Sequence, residues 1–272
     1  MVMETGGRGN GPKRINAVLA PIVGLKHGRK TTHLLLMKVE VFGSYLQSQA
    51  TFPEMVRERH PLAITISREV GAGGRTIAEL LGQRLTAAEK TPASPWIVFD
   101  SSLAKQVLED HNLPPNLEQF MTEDAQLLPV EAIVEEVLGL HPSSWTLVQH
   151  ATQTILRLAG LGHAILVGRG ANIITARLPN AFHVRLVSPL ATRIRHTAAY
   201  YHLSEAEAAK LVREQDQARR RYVRRYFNSE IDDPSLYDVT LNTGRLGFAR
   251  TAEAIAQMAS QHRQALVQNS AE

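Results

Sequence analysis

Residues 62–78 read LAITISREVGAGGRTIA, and this stretch decides the fold. Leu62–Ser67 is a short, apolar, β-branched run of strand length. Glycines at 71, 73 and 74 interrupt it, and from Arg75 to about Glu89 the apolar Ile77, Leu80, Leu81 and Leu85 recur on one helical face. A buried strand thus hands the chain through a glycine-rich turn to a helix N-terminus. Glycines let successive backbone N–H groups converge, and the helix start adds positive potential, so the turn suits a phosphate group.

The turn departs from the usual phosphate-loop pattern G-x-x-x-x-G-K-[ST]. Arg68 stands at the first glycine and Gly74 at the lysine, with Arg75 inserted before Thr76. Gly71, Ala72, Gly73, Gly74, Arg75 and Thr76 are the candidate phosphate cradle. The Thr76 hydroxyl sits where a phosphate-loop threonine meets Mg2+. Arg75, turned inward, would supply the missing cation as a fork rather than a point charge. The same letters also fit a tight strand-to-helix turn with a solvated arginine. Glu69, inside the loop, could orient either arginine or approach a metal.

Working outward, four more strand-length runs follow: Trp96–Phe99, His163–Val167, Phe182–Val187 and Asp238–Leu241. Helical patterns separate them, over 101–108, 143–159, after Gly170, after Pro189, over 204–227 and over 248–267. Ser204 and Glu207 form an S-x-x-E capping box at the start of the longest one. Alternating strands and helices predict an α/β fold with a parallel sheet covered on both faces. Ligands in such sheets bind beyond the carboxyl ends of the strands. Attention therefore goes to the turns after Ser67, Phe99, Val167 and Leu241.

The remainder of the chain narrows the field. Of the 272 residues, 44% are hydrophobic, enough for a sizeable core, and none is cysteine, which excludes disulfides, thiolate zinc sites and cysteine nucleophiles. A reducing cytoplasm is the natural compartment for such a chain. No apolar run approaches bilayer length. The 11 histidines show neither H-x-x-x-H nor H-E-x-x-H spacing, which argues against catalytic zinc. Residues 1–38, rich in glycine and with a KHGRK run at 26–30, read as a disordered basic tail, and 39–61 as an N-terminal helix. The net charge is +4, and RRRYVRR at 219–225 concentrates much of the excess. No aromatic stacking platform or recognised motif accompanies that run, which argues against a nucleic-acid role.

Several of these segments resemble the cytidylate kinase-like family, in which S-R-E-x-G-S-G-G-R recurs. SREVGAGGRTIA at 67–78 is similar to that phosphate loop. LVGRGANII at 166–174, PNAFHVRLVSPLATRI at 179–194 and DDPSLYDVTLNTGRL at 232–246 resemble its later strands. The resemblance covers residues 62–260 approximately. It implies a P-loop, nucleoside-monophosphate-kinase-like three-layer sandwich with strand order 2-3-1-4-5, a helical insert (112–160) and an arginine-rich lid (204–233), all within a domain spanning 62–270. It further implies ATP on the loop, Mg2+, and a small phosphorylated substrate opposite.

In cytidylate kinases the third strand ends in Gly-Arg-Asp; the match here is Gly168-Arg169-Gly170. Arg169 carries over as a candidate substrate ligand, but the aspartate is missing, which places cytosine selectivity in question. Asp216-Gln217-Ala218-Arg219 matches the lid's Asp-x-x-Arg, and Asp216, Arg219 and Arg220 share a helix face at i, i+3, i+4. Asp100, ending the second strand, is a candidate substrate ligand, with helix capping as its more ordinary duty. The implied activity is ATP-dependent phosphoryl transfer to a nucleoside monophosphate, CMP or dCMP first. Arg75, Arg219 and Arg220 would be catalytic, Asp100, Arg169, Asp216 and Arg219 substrate-binding, and Thr76 the metal contact. A different small-metabolite acceptor, motivated by Gly170, and a catalytically silent nucleotide-binding regulator, motivated by Gly74, are the other readings. Nothing in the sequence sets an oligomeric state.

Overall fold

The apolar alternation of five short strands is what builds the platform for the site. A computed structural model describes residues 61–89, 95–100, 102–112 and 144–269. The expected tail, residues 39–60 of the expected N-terminal helix and residues 113–143 of the insert lie outside the described residues. The strands are β1 (Ala63–Arg68), β2 (Ile97–Phe99), β3 (Ala164–Val167), β4 (Ala181–Val187) and β5 (Val239–Asn242). They pair in parallel in the order β2-β3-β1-β4-β5. This is the order that the family resemblance implied.

Helices fill the crossovers: α1 (Gly74–Ala88), α2 (Ser102–Asp110), α3 (Ser144–Leu161), α4 (Ala171–Ile174), α5 (Leu190–Tyr201), α6 (Glu205–Phe227), α7 (Thr243–Leu246) and α8 (Phe248–Asn269). A 3-10 turn spans Pro234–Leu236. This turn and α7 are too short to leave a periodic signature, and sequence reasoning missed both.

Period-two alternation in β1 divides the core. Ile64 and Ile66 face one side, where they pack with Ile77 and Leu81 of α1 and Ile255 and Ala259 of α8. Ala63 faces the other side, with Ile155 and Leu158 of α3, Phe99 and Leu166. Each buried isoleucine or leucine contributes about 1.5–3 kcal/mol relative to exposure. The result is a three-layer sandwich of the P-loop kinase type. Helix α6 starts at the expected capping box: Ser204 Oγ accepts from Glu207 N, and Glu207 Oε2 accepts from Ser204 N at 2.9 Å. Arg224 and Arg225 in its last turn complement the helix dipole. Among the described residues no helix is long and apolar enough to cross a membrane.

Candidate functional site

Central strand β1 ends at Arg68, and the glycine turn that follows opens into a cavity of about 370 Å³. The first closing hydrogen bond of α1 runs from Ile77 N to Gly73 O at 2.9 Å. The N–H groups of Gly74, Arg75 and Thr76 precede it and therefore have no intrahelical partner. All three residues line the cavity. A helix N-terminus with its leading amides at a cavity wall is an anion site by geometry and by dipole.

Charged braces hold the turn in shape. Arg193 of α5, 8% exposed, donates through Nη1 to Val70 O at 3.2 Å and to Asp216 Oδ2 at 2.5 Å, and through Nε to Ser188 O at 3.0 Å. Its Nε also lies 3.2 Å from Glu69 Oε2, which accepts from Ser188 N. Asp216 Oδ1 accepts from Val70 N at 2.8 Å. Glu69, one of the open questions of the sequence, is thus tied to Arg193. The carbonyl of Gly71 lies 3.1 Å from His196 Nδ1, which places the imidazole proton on that nitrogen.

A second chain of contacts runs under the turn. Ser67 Oγ accepts from Arg185 Nη1 at 2.9 Å, Arg185 Nη2 pairs with Asp232 Oδ1 at 2.8 Å, and Arg220 Nε pairs with Asp232 Oδ2 at 3.1 Å. Tyr237 Oη donates to Ile231 O at 2.7 Å and lies 3.2 Å from Ser67 Oγ. Burial pushes the Tyr237 phenol up, against the opposing pull of the hydrogen bonds and of Arg185, so it stays a neutral donor at physiological pH.

Strands β2 and β3 supply the opposite wall. Asp100 reaches toward Arg68, with Oδ1 and Nη2 3.8 Å apart. Its backbone carbonyl, rather than its carboxylate, accepts from Leu103 N where α2 begins. After β3, Gly168, Arg169 and Gly170 take positive φ of 82°, 54° and 69° in succession. A left-handed arginine costs roughly 1–3 kcal/mol and is found where the surroundings over-determine it. Arg169 is 8% exposed and lines the cavity. At Gly170 a Cβ would fall 2.4 Å from Cε2 of Phe227, the last residue of α6. The aspartate missing from the sequence pattern has its place filled by that ring.

Of the residues singled out from sequence, Gly71, Gly73, Gly74, Arg75, Thr76, Asp100, Arg169 and Arg219 share the cavity lining. Ala72 is buried beneath it, Asp216 faces the loop's backbone, and Arg220 faces Asp232. Arg75 does not turn inward: its Nε donates to Glu79 Oε1 at 3.1 Å along its own helix, and that bond pushes its pKa up. The lid's basic run is compensated locally, since Arg224 also pairs with Glu230. Sequence reasoning missed His196, Thr197, Tyr200 and Tyr201 of α5, and Phe248 of α8, all of which line the cavity. It missed Arg193 as well, although a charged residue on the inward face of a helix was the available signal. Among the described residues no three His, Asp or Glu side chains converge as metal ligands.

None of the curated proteins matches the chain. The crystal structure of an uncharacterized protein from Eubacterium ventriosum aligns over 73% of this chain and 98% of that one, with TM-score 0.54 and 17% identity, a likeness of fold. A shikimate kinase from Acinetobacter baumannii in complex with shikimate covers 77% of this chain and 98% of its own at TM-score 0.41 and 16% identity, too loose a likeness to bear on chemistry. The model of the cytidylate kinase-like family matches residues 63–245, on a parallel sheet of the P-loop kinase order and with the glycine turn at its centre. The match supports a nucleotide kinase in general. The chain belongs to the cytidylate kinase-like family.

Proposed function

We propose that the protein transfers the γ-phosphoryl group of ATP to a nucleoside monophosphate, with CMP or dCMP as the first candidate acceptor. The observation that carries this reading is the convergence of the loop's leading amides with Asp100, Arg169 and Arg219 around one cavity at the strand ends. The residues present fit the triphosphate. At Gly71, with φ 77°, a Cβ would fall 2.4 Å from Arg193 O, so only glycine lets the loop pack this closely on α5 while its amides turn to the cavity. The Thr197 hydroxyl is buried at the cavity wall with no hydrogen-bond partner among the described residues. Mg2+ in such sites takes one or two side chains and completes its shell with phosphate oxygens and water, a demand the Thr76 hydroxyl would meet. The ion would supply charge neutralisation across the phosphates.

In this reading an acceptor phosphate oxygen forms the bond to the γ-phosphorus. The bond from that phosphorus to the bridging oxygen breaks, and ADP leaves with its electron pair. Such transfer asks for alignment and charge neutralisation more than covalent chemistry from the protein. The loop amides would cradle the donor phosphates. Arg169 would grip the acceptor phosphate, while Arg219, with Arg75 at the mouth, would balance the moving charge. Asp100 would border the acceptor.

The experiment is ADP release from Mg-ATP in the presence of CMP, dCMP and the other common monophosphates. Release above background, reduced about a hundredfold or more in Arg219→Ala, supports the reading. No turnover with any monophosphate overturns the acceptor. Gly170 under the Phe227 ring favours a second reading, in which the same donor site serves another small phosphorylated or hydroxylated metabolite. Turnover confined to such an acceptor would select it.

A further inference from the structure

The phosphate loop has a glycine where its usual pattern has lysine, and the geometry around Gly74 points to the residue that replaces it. A Cβ built on Gly74 would lie 2.8 Å from Arg68 Cγ, 3.3 Å from Arg68 Cβ and 3.4 Å from Arg68 Cδ. The stem of Arg68 therefore crosses the space where a side chain at 74 would begin. Gly74 itself has an ordinary helical backbone as the first residue of α1. Its lack of a side chain answers to the arginine above it rather than to backbone conformation.

From there the side chain runs along the cavity wall, with Nη2 facing Asp100 Oδ1 at 3.8 Å. That separation is too long for a hydrogen bond and is an ion-pair contact. The Arg68 side chain is 15% exposed, against 45% for Arg75, whose Nε is committed to Glu79.

We infer that Arg68, delivered by the end of β1, is the cation that binds the β- and γ-phosphate oxygens of the donor in place of the lysine absent at 74. This rests on the phosphate-loop reading above. A planar fork can hold two phosphate oxygens at once, where an ammonium acts as a point charge. Asp100 then has a positioning duty, aiming the fork into the cavity from the strand next to β3.

The test is a swap. Binding is read by thermal stabilisation with Mg-ATP, Mg-ADP and AMP, and transfer by ADP release. Arg68→Ala should weaken Mg-ATP about ten- to hundredfold, as expected for loss of a charge-assisted contact, while AMP is little affected. Gly74→Lys alone should also weaken Mg-ATP, because its stem meets Arg68. The double variant Arg68→Ala/Gly74→Lys, which clears the space and restores a lysine, should recover most of the lost affinity. A merely structural role for Arg68 would not be rescued by a new cation at 74. Arg68→Gln, which keeps the stem and loses the charge, serves if the alanine variant does not fold.

Wild-type binding with unchanged affinity in Arg68→Ala or Arg68→Gln overturns the assignment and leaves the phosphate-loop reading intact. A double variant no better than Arg68→Ala overturns it too. A wild-type protein that Mg-ATP does not stabilise overturns both.

Discussion

Two turns at the carboxyl ends of adjacent strands each carry a glycine where the corresponding motif has a working side chain. In both cases another residue fills the vacated space. At Gly74 the occupant is the stem of Arg68, a cation; at Gly170 it is the Phe227 ring, an apolar group. The chemical outcomes are opposite. The first turn keeps a positive charge at the cavity by another route, whereas the second gives up a carboxylate and gains packing. A missing motif residue is therefore not a single kind of event, and only the neighbour's identity tells substitution from loss.

The largest effect should come from reversing the loss. Gly170→Asp puts a side chain on a backbone at φ 69° and 2.4 Å from the Phe227 ring. Strain and overpacking together should cost about 2–4 kcal/mol, a fall in Tm of roughly 5–15 °C. Gly74→Ala, by contrast, has no positive φ to contend with, and its Cβ meets only the Arg68 stem at 2.8 Å, so overpacking of about 1–2 kcal/mol and a fall in Tm of roughly 3–6 °C are expected. Equal losses in calorimetric melts of the two variants would break the comparison.

Next in size is the brace on the first turn. Asp216→Ala removes the partner of a buried arginine and the acceptor of Val70 N. Breaking such a pair costs about 3–5 kcal/mol when the remaining charge is stranded; Glu69 at 3.2 Å still compensates Arg193, so about 2–3 kcal/mol is expected in denaturant melts. Hydrogen exchange should quicken at Val70 and stay unchanged at Arg169. Faster exchange at both would show that the turns are not independently held.

The smallest effect is a pH dependence away from both turns. His183 in β4, hydrogen-bonded to Thr65 Oγ1 at 2.8 Å, has its pKa lowered by burial, opposed by Asp238 and reinforced by His262. Its folded pKa lies below the unfolded value of 6.5, so the unfolded chain binds the proton more readily. The contribution is fully present above that value and is lost as pH falls through it toward the folded pKa, with a slope of at most about 1.4 kcal/mol per pH unit. His183→Gln should flatten the acid limb of a stability scan. Wild type, Gly170→Asp and Gly74→Ala should share that limb, and divergence among them would tie a titrating group to one of the turns.

Much of this was readable from the letters. The strands announced themselves by short β-branched runs, α6 by its capping box, and the phosphate turn by glycines between a strand and a helix. The cavity's polar lining followed from the rule that strand ends hold ligands. What sequence spacing could not supply is the direction in which an arginine points. Arg219 and Arg220 are adjacent, yet one lines the cavity and the other faces Asp232. Asp216 and Arg219 share a helix face by spacing but divide their attention between the loop's backbone and the cavity. Long side chains choose partners from distant strands, and those distances in space have no image in i, i+3 counting. Gly74 and Gly170 were visible as departures; the residues that explain them lie on other elements.

Helix α6 touches both turns, through Asp216 at one and Phe227 at the other. About three helical turns separate these two points, a span over which an α-helix moves as a stiff rod. Its contact with the first turn is polar and with the second is oily, so salt and temperature load the two ends differently. The rod therefore rests on unlike bearings, and conditions that slacken one of them leave the other seated.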